Sequence, residues 1–195
     1  MDINNPHDRF AREVLSVHAN AKDFLKGILP KEIAAQLDFS TLKRDTEKYS
    51  DETLKEYFSD MVFTCRSGTG SVKISLLFEH KSFPPSFPRI QLLSYMLGIW
   101  KTCEKKKENP TAVIPVILYH GKKHWKQEEL SEKLNAEIFK PFVPDFKYIL
   151  MDLSCYTNQY IRSSVFGRAA VKIWLLLQKN VYDEAVLLKH LRDFI

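Results

Sequence analysis

The chain has 195 residues, of which 45% are hydrophobic and 27% are charged, as in ordinary globular proteins. This length suits one domain with a small appendage, and a chain of this length can bury a hydrophobic core. The formal net charge of +5 favours a polyanionic partner, although a merely basic surface accounts for the charge equally well.

Cys65, Cys103 and Cys155 stand apart, without the spacing of a disulfide framework or a thiolate zinc site. We therefore expect reduced thiols and a cytoplasmic protein. The first eight residues contain no basic segment followed by an apolar run, so we expect no signal peptide. No stretch approaches the roughly 18 apolar residues of a membrane span, so we expect no membrane partner.

The first part of the chain predicts helix. An amphipathic pattern runs from Pro6 to Leu29, with a break expected at Asn20, and a shorter helix is predicted at Ile33–Leu37. Asp8 and Glu13 are acids in this region. An acid in the first turn favours the helix dipole, and the functional alternative is that one of them adds a carboxylate to a metal site.

Two strands follow a charged segment, Thr41–Tyr49, which predicts a loop with one small strand. The strands are predicted at Tyr57–Arg66 and Val72–Lys81, where aromatic, β-branched and apolar residues are concentrated. The Gly-containing segment Ser67–Ser71 between them predicts a hairpin turn. It lacks the Gly-Lys-Ser/Thr ending of a phosphate-binding loop, so we expect no nucleotide site.

A long helix is predicted after the proline-rich segment Ser82–Pro88 and runs from Arg89 to Cys103. Apolar residues cover most of its circumference, so we expect it to pack on several sides. These residues form two stripes: Ile90, Leu93, Leu97 and Trp100, and then Leu92, Met96 and Ile99. The lysines that end the helix, Lys105–Lys107, either form a solvated helix end or contact phosphate.

The next predicted strand, Thr111–Tyr119, contains Pro115, which predicts an edge position or a bulge. His120 and His124 follow it, but no Cys or third His stands at ligand spacing, so we expect no metal there. A further strand is predicted at Phe146–Leu153.

The chain ends in two helical patterns, Ile161–Gln178 and Tyr182–Phe194. The second pattern ends without a cap. That ending predicts either a longer parent protein or a homodimer formed through the C-terminal helices.

The residues that carry chemistry are Asp60, Glu79 and Lys81. Glu79 and Lys81 share one face of a strand, and closure of the hairpin brings Asp60 towards Glu79. Two clustered carboxylates repel each other, whereas a divalent cation such as Mg²⁺ binds both together with phosphate. Such a cation activates water against a phosphodiester, with Lys81 to orient or deprotonate that water. The alternative is a salt bridge from Lys81, although a charge at the end of an apolar run is costly without a partner.

Gln91 and Tyr95 lie one turn apart on the long helix and therefore share a face. An amide near a metal holds a water molecule or a phosphate oxygen without adding charge. The sequence therefore adds Gln91 to the catalytic residues, with Tyr95, Asp8 and Glu13 in support.

Several segments carry a resemblance to a known family: Asn5–Phe10, Tyr57–Asp60, Leu76–Ser82, Gln91–Met96 and Val113–Gly121. They look like the recombination-promoting nuclease / putative transposase family, which belongs to the PD-(D/E)XK nuclease superfamily. The resemblance covers nearly the whole chain. It implies an α/β fold with a restriction-endonuclease-like core, in which helices flank a mixed central β-sheet, and with C-terminal helices.

The resemblance also implies Mg²⁺-dependent cleavage of DNA, with Mn²⁺ or Ca²⁺ as other candidate cations. Asp60 matches the metal-binding Asp of the superfamily, and Glu79 with Lys81 matches its E-x-K pair. Gln91 with Tyr95 matches a QxxxY-type motif. Many family members have Gln where Lys81 stands, and Lys is closer to the superfamily pattern, which favours activity. No Pro precedes Asp60.

We therefore expect a DNA endonuclease of low sequence specificity, associated with recombination, mobile elements or phage defence. Residues 1–155 are predicted to form the nuclease-like domain, and residues 156–195 a helical extension packed on it or used in oligomerisation. The lysines expected to contact DNA phosphates are Lys101, Lys105, Lys106, Lys107, Lys122 and Lys123. The alternatives are a non-catalytic regulatory or protein-interaction module on a nuclease fold, and a structural core with incidental acids.

Overall fold

The structure is a computed structural model that describes residues 6–45, 60–68, 70–79, 84–163, 166–181 and 183. None of the helices in these ranges is long and apolar enough to cross a membrane. The helices are α1 (Pro6–Ser16), α2 (His18–Ile28), α3 (Lys31–Ala34), α4 (Pro88–Lys105), α5 (Leu130–Lys133), α6 (Asn158–Ser163) and α7 (Ala169–Lys179). The strands are β1 (Asp38–Asp45), β2 (Asp60–Ser67), β3 (Gly70–Glu79), β4 (Ala112–Tyr119) and β5 (Ile149–Asp152). Two 3₁₀ helices, Glu137–Phe142 and Leu153–Cys155, precede and follow β5.

The strands form one mixed sheet in the order β1-β2-β3-β4-β5. The pairs β1–β2 and β2–β3 are antiparallel, whereas β3–β4 and β4–β5 are parallel. Gly68 has a φ of +56° in the β2–β3 turn, a value that tight hairpin loops require and that residues with a Cβ adopt at a cost. Helix α4 connects the parallel strands β3 and β4. The predicted α/β fold, a mixed sheet flanked by helices, is confirmed.

The sheet separates two layers of helices, because successive side chains of a strand face opposite sides. In β4, Val116 and Leu118 belong to the large core shared with α1, α2 and α7. Their neighbours Ile117 and Tyr119 pack instead in a cluster with Leu92 of α4. The apolar run of β4 is therefore explained by burial on both faces, one against each layer.

The first layer contains most of the core. Trp174 of α7 is fully buried and packs edge-to-face on Phe24 of α2, with ring centroids 5.1 Å apart. Ile161 of α6 is buried in the same core, so α6 and α7 pack on the sheet-bearing part of the chain. Apart from Asp183, the predicted last helix lies outside the described residues, and the boundary between residues 155 and 156 stays a prediction.

The segment Thr41–Tyr49 is predicted to be a loop with one small strand, but its described part, residues 41–45, belongs entirely to β1, which is eight residues long and begins at Asp38. Phe39 and Leu42 are both buried although they stand three residues apart, which breaks the period-two pattern of a strand. The pairing of β1 with β2 shifts register between Asp38 and Lys43. A bulge of this kind returns both apolar side chains to the core face and conceals the strand in the sequence.

The break in the first helical region also differs from the prediction. Helix α1 ends at Ser16 and α2 begins at His18, so the break lies at Val17 and not at Asn20. Asn20 is buried within α2, and its Nδ2 donates a hydrogen bond of 2.9 Å to the carbonyl oxygen of Val14. The polar residue that suggested a break therefore ties the two helices together.

Pro115 lies in an internal strand, because β4 runs between β3 and β5. The pairing of β4 with β5 begins only at Val116, opposite Ile149. Pro115 thus stands where the β5 side of the strand has no pairing yet, so its missing N–H costs no ladder bond on that side. The predicted edge position is therefore wrong for β4 as a whole, although at Pro115 itself β4 is paired on the β3 side only.

Helix α4 packs mainly on one side. Leu92, Met96 and Ile99 are buried towards the sheet, whereas Ile90 and Leu97 are 44% and 42% exposed. The expectation of packing on several sides is therefore wrong for Ile90 and Leu97, whereas Trp100 of the same stripe is half-buried and packs beside Val62 and Ile99.

Candidate functional site

The backbone pairing puts positions 60 and 79 on one face of the sheet. Asp60 pairs with Leu77 across the β2–β3 hairpin, and Glu79 stands two residues beyond Leu77 at the end of β3. Opposed residues of an antiparallel pair share a face, as do residues two apart on one strand. The side chains of Asp60 and Glu79, and the whole of Lys81, lie outside the described residues.

The face that carries positions 60 and 79 is the one covered by α4. Val62, two residues after Asp60 in β2, packs with Ile99 of α4. Tyr119, the register partner of Glu79 in β4, packs in a cluster with Leu92 of α4. Both neighbours therefore assign these two positions to the α4 side of the sheet.

Gln91 and Tyr95 lie on α4 itself. The Oε1 atom of Gln91 is shielded from solvent and accepts no hydrogen bond from the described residues. An amide oxygen buried in this way costs about 1–3 kcal/mol unless it gains a donor. Tyr95 is buried in the cluster that contains Ile117 and Tyr119. The Oε1 of Gln91 is thus an acceptor without a donor among the described residues, while Tyr95 fills space beneath the helix.

Arg89, which the sequence analysis did not single out, fixes the start of α4. It is buried, and its Nε donates a hydrogen bond of 2.7 Å to the carbonyl oxygen of Glu128. Its Nη1 donates to the carbonyl oxygen of Phe146 and lies 3.0 Å from Asp145 Oδ1. The guanidinium carbon also lies 5.4 Å from the ring centroid of Tyr148. Arg89 therefore ties the first turn of α4, two residues before Gln91, to the segments around β5.

A cavity of about 340 Å³ lies beside this first turn. It is bounded by the segment Pro84–Arg89 on one side and by residues of the chain after β4, including His124, Trp125 and Glu129, on the other. Both segments follow the carboxyl ends of parallel strands, β3 and β4. The cavity thus lies at the end of the sheet that is formed by the carboxyl ends of β3 and β4, where β3 ends at Glu79.

The candidate DNA-binding lysines fall into two groups. Lys122 and Lys123 come three and four residues after the end of β4 and are exposed, at the end of the sheet where β3 ends. The other four lie on or after the second half of α4 and are also exposed: Lys101, Lys105, Lys106 and Lys107. Fifteen residues of helix separate Gln91 from Lys106, which is roughly 22 Å at 1.5 Å per residue. The second group therefore lies at the opposite end of the sheet, near the first residues of β4.

The two supporting acids of the first helix lie in the other helical layer. Asp8 belongs to α1, and its side chain is outside the described residues. Glu13 is exposed, and its carboxylate forms an ion pair of 3.0 Å with Arg9, one turn earlier on the same helix. The structure does not bring Glu13 to the α4 face where Gln91 lies.

His124, Asp152 and Cys155 form a second polar cluster, which the sequence did not predict. His124 Nδ1 lies 2.9 Å from Asp152 Oδ2 and 2.9 Å from Cys155 Sγ, and the sulfur lies 3.5 Å from the same carboxylate oxygen. Spacing along the chain does not indicate this cluster, because it depends on the pairing of Tyr119 of β4 with Asp152 of β5. That pairing brings a histidine just after β4 to a cysteine just after β5.

Charge in this cluster is concentrated on Asp152. Burial raises the pKa of its carboxyl group, but hydrogen bonds from the Trp125 and Ser154 amides outweigh burial and leave the pKa below its usual value. Burial, with the nearby Asp152 charge, raises the pKa of the Cys155 thiol. The three cysteines are free thiols, as expected, and Cys155 is the exposed one.

Comparison with known protein families finds a match over nearly the whole chain. The family model described as "Putative transposase, YhgA-like" matches residues 5–195. The chain is similar to the recombination-promoting nuclease RpnD of Escherichia coli O157:H7, with 28% identity over 120 residues, covering 60% of this chain and 46% of the relative. It is similar to the recombination-promoting nuclease RpnA of Escherichia coli K12, with 28% identity over 119 residues, covering 60% and 41%.

A third relative carries a different description. The inactive recombination-promoting nuclease-like protein RpnE of Escherichia coli K12 is 21% identical over 192 residues, covering 92% of this chain and 60% of the relative. Each match spans less than two thirds of the relative's own length. No solved structure matches the chain.

Proposed function

Because this chain belongs to the YhgA-like transposase family, we propose that it is a metal-dependent DNA endonuclease that cuts phosphodiester bonds with little sequence specificity. The names of two relatives, recombination-promoting nucleases, support a role in recombination, and the transposase in the description of the family supports an association with mobile elements. The observation that carries the proposal is the register of the sheet. It puts positions 60 and 79 on the α4 face, which also carries the buried and unpartnered Oε1 of Gln91.

The residues at these positions fit a hard divalent cation such as Mg²⁺. Asp60 and Glu79 would supply carboxylate oxygens, the ligands that Mg²⁺ prefers, and leave positions for water and phosphate. Gln91 would accept a hydrogen bond through an oxygen that no described residue satisfies. Such a cation, when bound, supplies Lewis acidity towards a phosphoryl oxygen and a more acidic water molecule.

Each of these side chains has a separate role in the proposed reaction. Asp60 and Glu79 hold the negative charge that binds the cation, and Lys81 orients the attacking water or stabilises charge that develops on phosphate. Gln91 positions the water through its amide oxygen, because an amide adds direction without adding charge. Water adds to phosphorus as the bond to the leaving oxygen breaks. The water gives up one proton, to neutral Lys81 or to solvent, and the leaving oxygen takes up one proton.

A second function is favoured by one comparison. The relative named as inactive matches 92% of this chain, more than either relative named as a nuclease. The alternative is therefore a regulatory module that binds DNA or a longer relative through the C-terminal helices and cuts nothing. Under this alternative the acids at positions 60 and 79 have no catalytic role.

Nicking of supercoiled plasmid DNA tests the proposal directly. The full chain is incubated with plasmid and Mg²⁺ or Mn²⁺, and Asp60→Ala, Glu79→Ala and Lys81→Ala are compared with the unmodified protein. We expect metal-dependent nicking by the unmodified chain, and at least a 100-fold loss in each variant. Glu104→Ala removes an exposed acid near the far end of α4 and serves as the matched control.

Two further measurements, together with nicking, distinguish the two proposed functions. Thermal melting of each variant establishes that loss of nicking is not loss of fold. Light scattering, with and without DNA, detects the complexes that the non-catalytic alternative requires. Equal nicking by Asp60→Ala and the unmodified chain would refute the proposal, and DNA binding without nicking in either metal would establish the alternative.

A further inference from the structure

We propose that His124, Asp152 and Cys155 bind a divalent transition-metal ion of the Zn²⁺ class, at a site separate from the proposed Mg²⁺ site. The three ligand atoms belong to different side chains and converge on one point, with separations of 2.9, 2.9 and 3.5 Å. They are the one such group of histidine, cysteine and acidic side chains found within the described ranges.

The donor set selects the class of ion. A sulfur, an imidazole nitrogen and a carboxylate oxygen are the ligands of Zn²⁺ and its neighbours in the first transition series, whereas Mg²⁺ takes oxygen ligands and not thiolate. Three protein ligands leave a fourth tetrahedral position for water or another ligand. His124 supports an open fourth position because its side chain is 67% exposed.

The arrangement of the three ligand atoms fits a cation better than a catalytic relay. In a Cys–His–Asp relay, the sulfur and the carboxylate contact opposite nitrogens of the imidazole ring. Here both lie 2.9 Å from the same atom, His124 Nδ1, which has one proton or one lone pair to share. Zinc bonds of about 2.0–2.3 Å correspond to ligand atoms about 3.3–3.8 Å apart in a tetrahedron. The observed triangle reaches that size if the exposed side chains of His124 and Cys155 move outward slightly.

Backbone contacts hold Asp152 in place for this role. Its Oδ2 accepts a hydrogen bond of 2.9 Å from the Trp125 amide, and its Oδ1 accepts one of 2.9 Å from the Ser154 amide. The second bond caps the 3₁₀ helix that carries Cys155. Groups that orient a ligand in this way are a regular part of metal sites. The site therefore lies at the end of β5, with one exposed ligand on each side of Asp152.

The site also differs in position from the proposed Mg²⁺ site. Glu79, Tyr119 and Asp152 are successive register partners across β3, β4 and β5. Neighbouring strands are about 4.8 Å apart, so two strand spacings put Asp152 roughly 10 Å from position 79. His124 also lines the cavity beside the first turn of α4. A metal ion at His124 would thus face the space that adjoins the proposed nuclease site.

Cobalt binding to the full chain, freed of metal by chelation, tests the proposal without DNA. Co²⁺ takes the same ligands as Zn²⁺, and a thiolate–cobalt charge-transfer band appears only when sulfur is bound. We expect this band in the unmodified protein, its displacement by added Zn²⁺, and its loss in Cys155→Ser. We expect His124→Asn to weaken binding at least 10-fold, whereas His18→Asn, which changes an exposed histidine of α2, leaves it unchanged.

A second measurement uses the exposed thiol. Zn²⁺ should slow alkylation of Cys155 at least 10-fold in the unmodified protein and have a much smaller effect in His124→Asn. Zinc at 100 times its dissociation constant should also raise the melting temperature by roughly 5 °C or more. Absence of the cobalt band, its survival in Cys155→Ser, or equal protection in His124→Asn would overturn the proposal.

The Asp60→Ala variant keeps this test independent of the proposed nuclease. We expect Asp60→Ala to retain the cobalt band and the Zn²⁺ protection of Cys155 whether or not the protein cuts DNA. Loss of the band in Asp60→Ala would assign the transition metal to the nuclease position and would overturn the separate site. Retained binding in a protein that never nicks DNA would support it.

Discussion

Asp60 and Leu77 are register partners across the β2–β3 hairpin, and this pairing determines which face of the sheet carries position 79. A slip of one residue would send every side chain of one strand to the other face. The burial of Val62 towards α4 and of Met61 and Phe63 towards the other layer opposes such a slip. The arrangement of the proposed catalytic acids thus depends on apolar residues that take no part in the chemistry.

The turn that closes this hairpin makes a first prediction. Gly68 has a φ of +56°, in the left-handed region, and an added Cβ would meet no atom within 4 Å. A substitution is therefore penalised by the backbone and not by crowding. We expect Gly68→Val to lower the free energy of unfolding by about 1–2 kcal/mol, as measured by urea denaturation. Gly68→Asn is the matched control and should cost clearly less, because Asn tolerates this conformation. Equal losses for both variants would contradict this explanation.

Gln91 allows function and stability to be separated. Its Oε1 is buried without a partner among the described residues, so an apolar side chain of similar size should leave stability unchanged or raise it slightly. If the amide positions a water molecule, the same change should lower DNA cleavage by about 10- to 100-fold. We therefore expect Gln91→Leu to melt no lower than the unmodified protein and to nick plasmid DNA far more slowly.

The control for Gln91 lies one turn away on the same helix. Ser94 donates a hydrogen bond from its Oγ to the carbonyl oxygen of Ile90, within α4. Ser94→Ala should leave nicking within about twofold of the unmodified rate, because its hydroxyl group is already satisfied by the backbone. A large loss of stability in Gln91→Leu with unchanged nicking would make Gln91 a structural residue.

Arg89 is expected to contribute more to stability than the acid it pairs with. Arg89→Met would leave the carbonyl oxygens of Glu128 and Phe146 without their donor, at a cost of about 2–4 kcal/mol in the free energy of unfolding. Asp145 is 52% exposed on its side chain, so Asp145→Ala should cost less than about 1 kcal/mol. Urea denaturation of the two variants measures the difference. Similar losses would mean that the ion pair, and not the carbonyl contacts, holds the start of α4.

The sequence predicted those elements whose local pattern agrees with their final environment. The strand at Thr111–Tyr119 and the helix after Pro88 were recognisable because apolar runs and a proline at the first helical position are local signals. Strand β1 was not recognisable as a strand of eight residues, because its bulge spaces Phe39 and Leu42 three residues apart. Periodicity fails wherever the backbone is irregular.

The same distinction applies to the candidate sites, because some are indicated by local sequence and others depend on the pairing of distant strands. Glu79 ends a run of apolar residues, so its place in the second strand of the hairpin could be inferred from the sequence, whereas the prediction for Lys81 lies outside the described residues. The cluster of His124, Asp152 and Cys155 depends on β4 and β5 being parallel neighbours in one register, which no local pattern encodes. Arg89 was missed for the same reason, because its partners lie 39 to 57 residues further along the chain.

The two groups of lysines make a final prediction about DNA binding. Lys122 and Lys123 lie at the end of the sheet where β3 ends, whereas Lys105 is the last residue of α4 and Lys107 follows the helix, roughly 21 Å or more from Gln91 along the helix axis. Each double substitution to Ala removes two positive charges, so the net charge of the protein falls equally. If DNA approaches position 79, the Lys122/Lys123 variant should bind it about 10-fold more weakly. Its plot of log affinity against log salt concentration should lose about two units of slope.

The Lys105/Lys107 variant should change neither quantity appreciably. Fluorescence anisotropy with a short duplex at several salt concentrations measures both, and equal losses would indicate a DNA path along α4 instead.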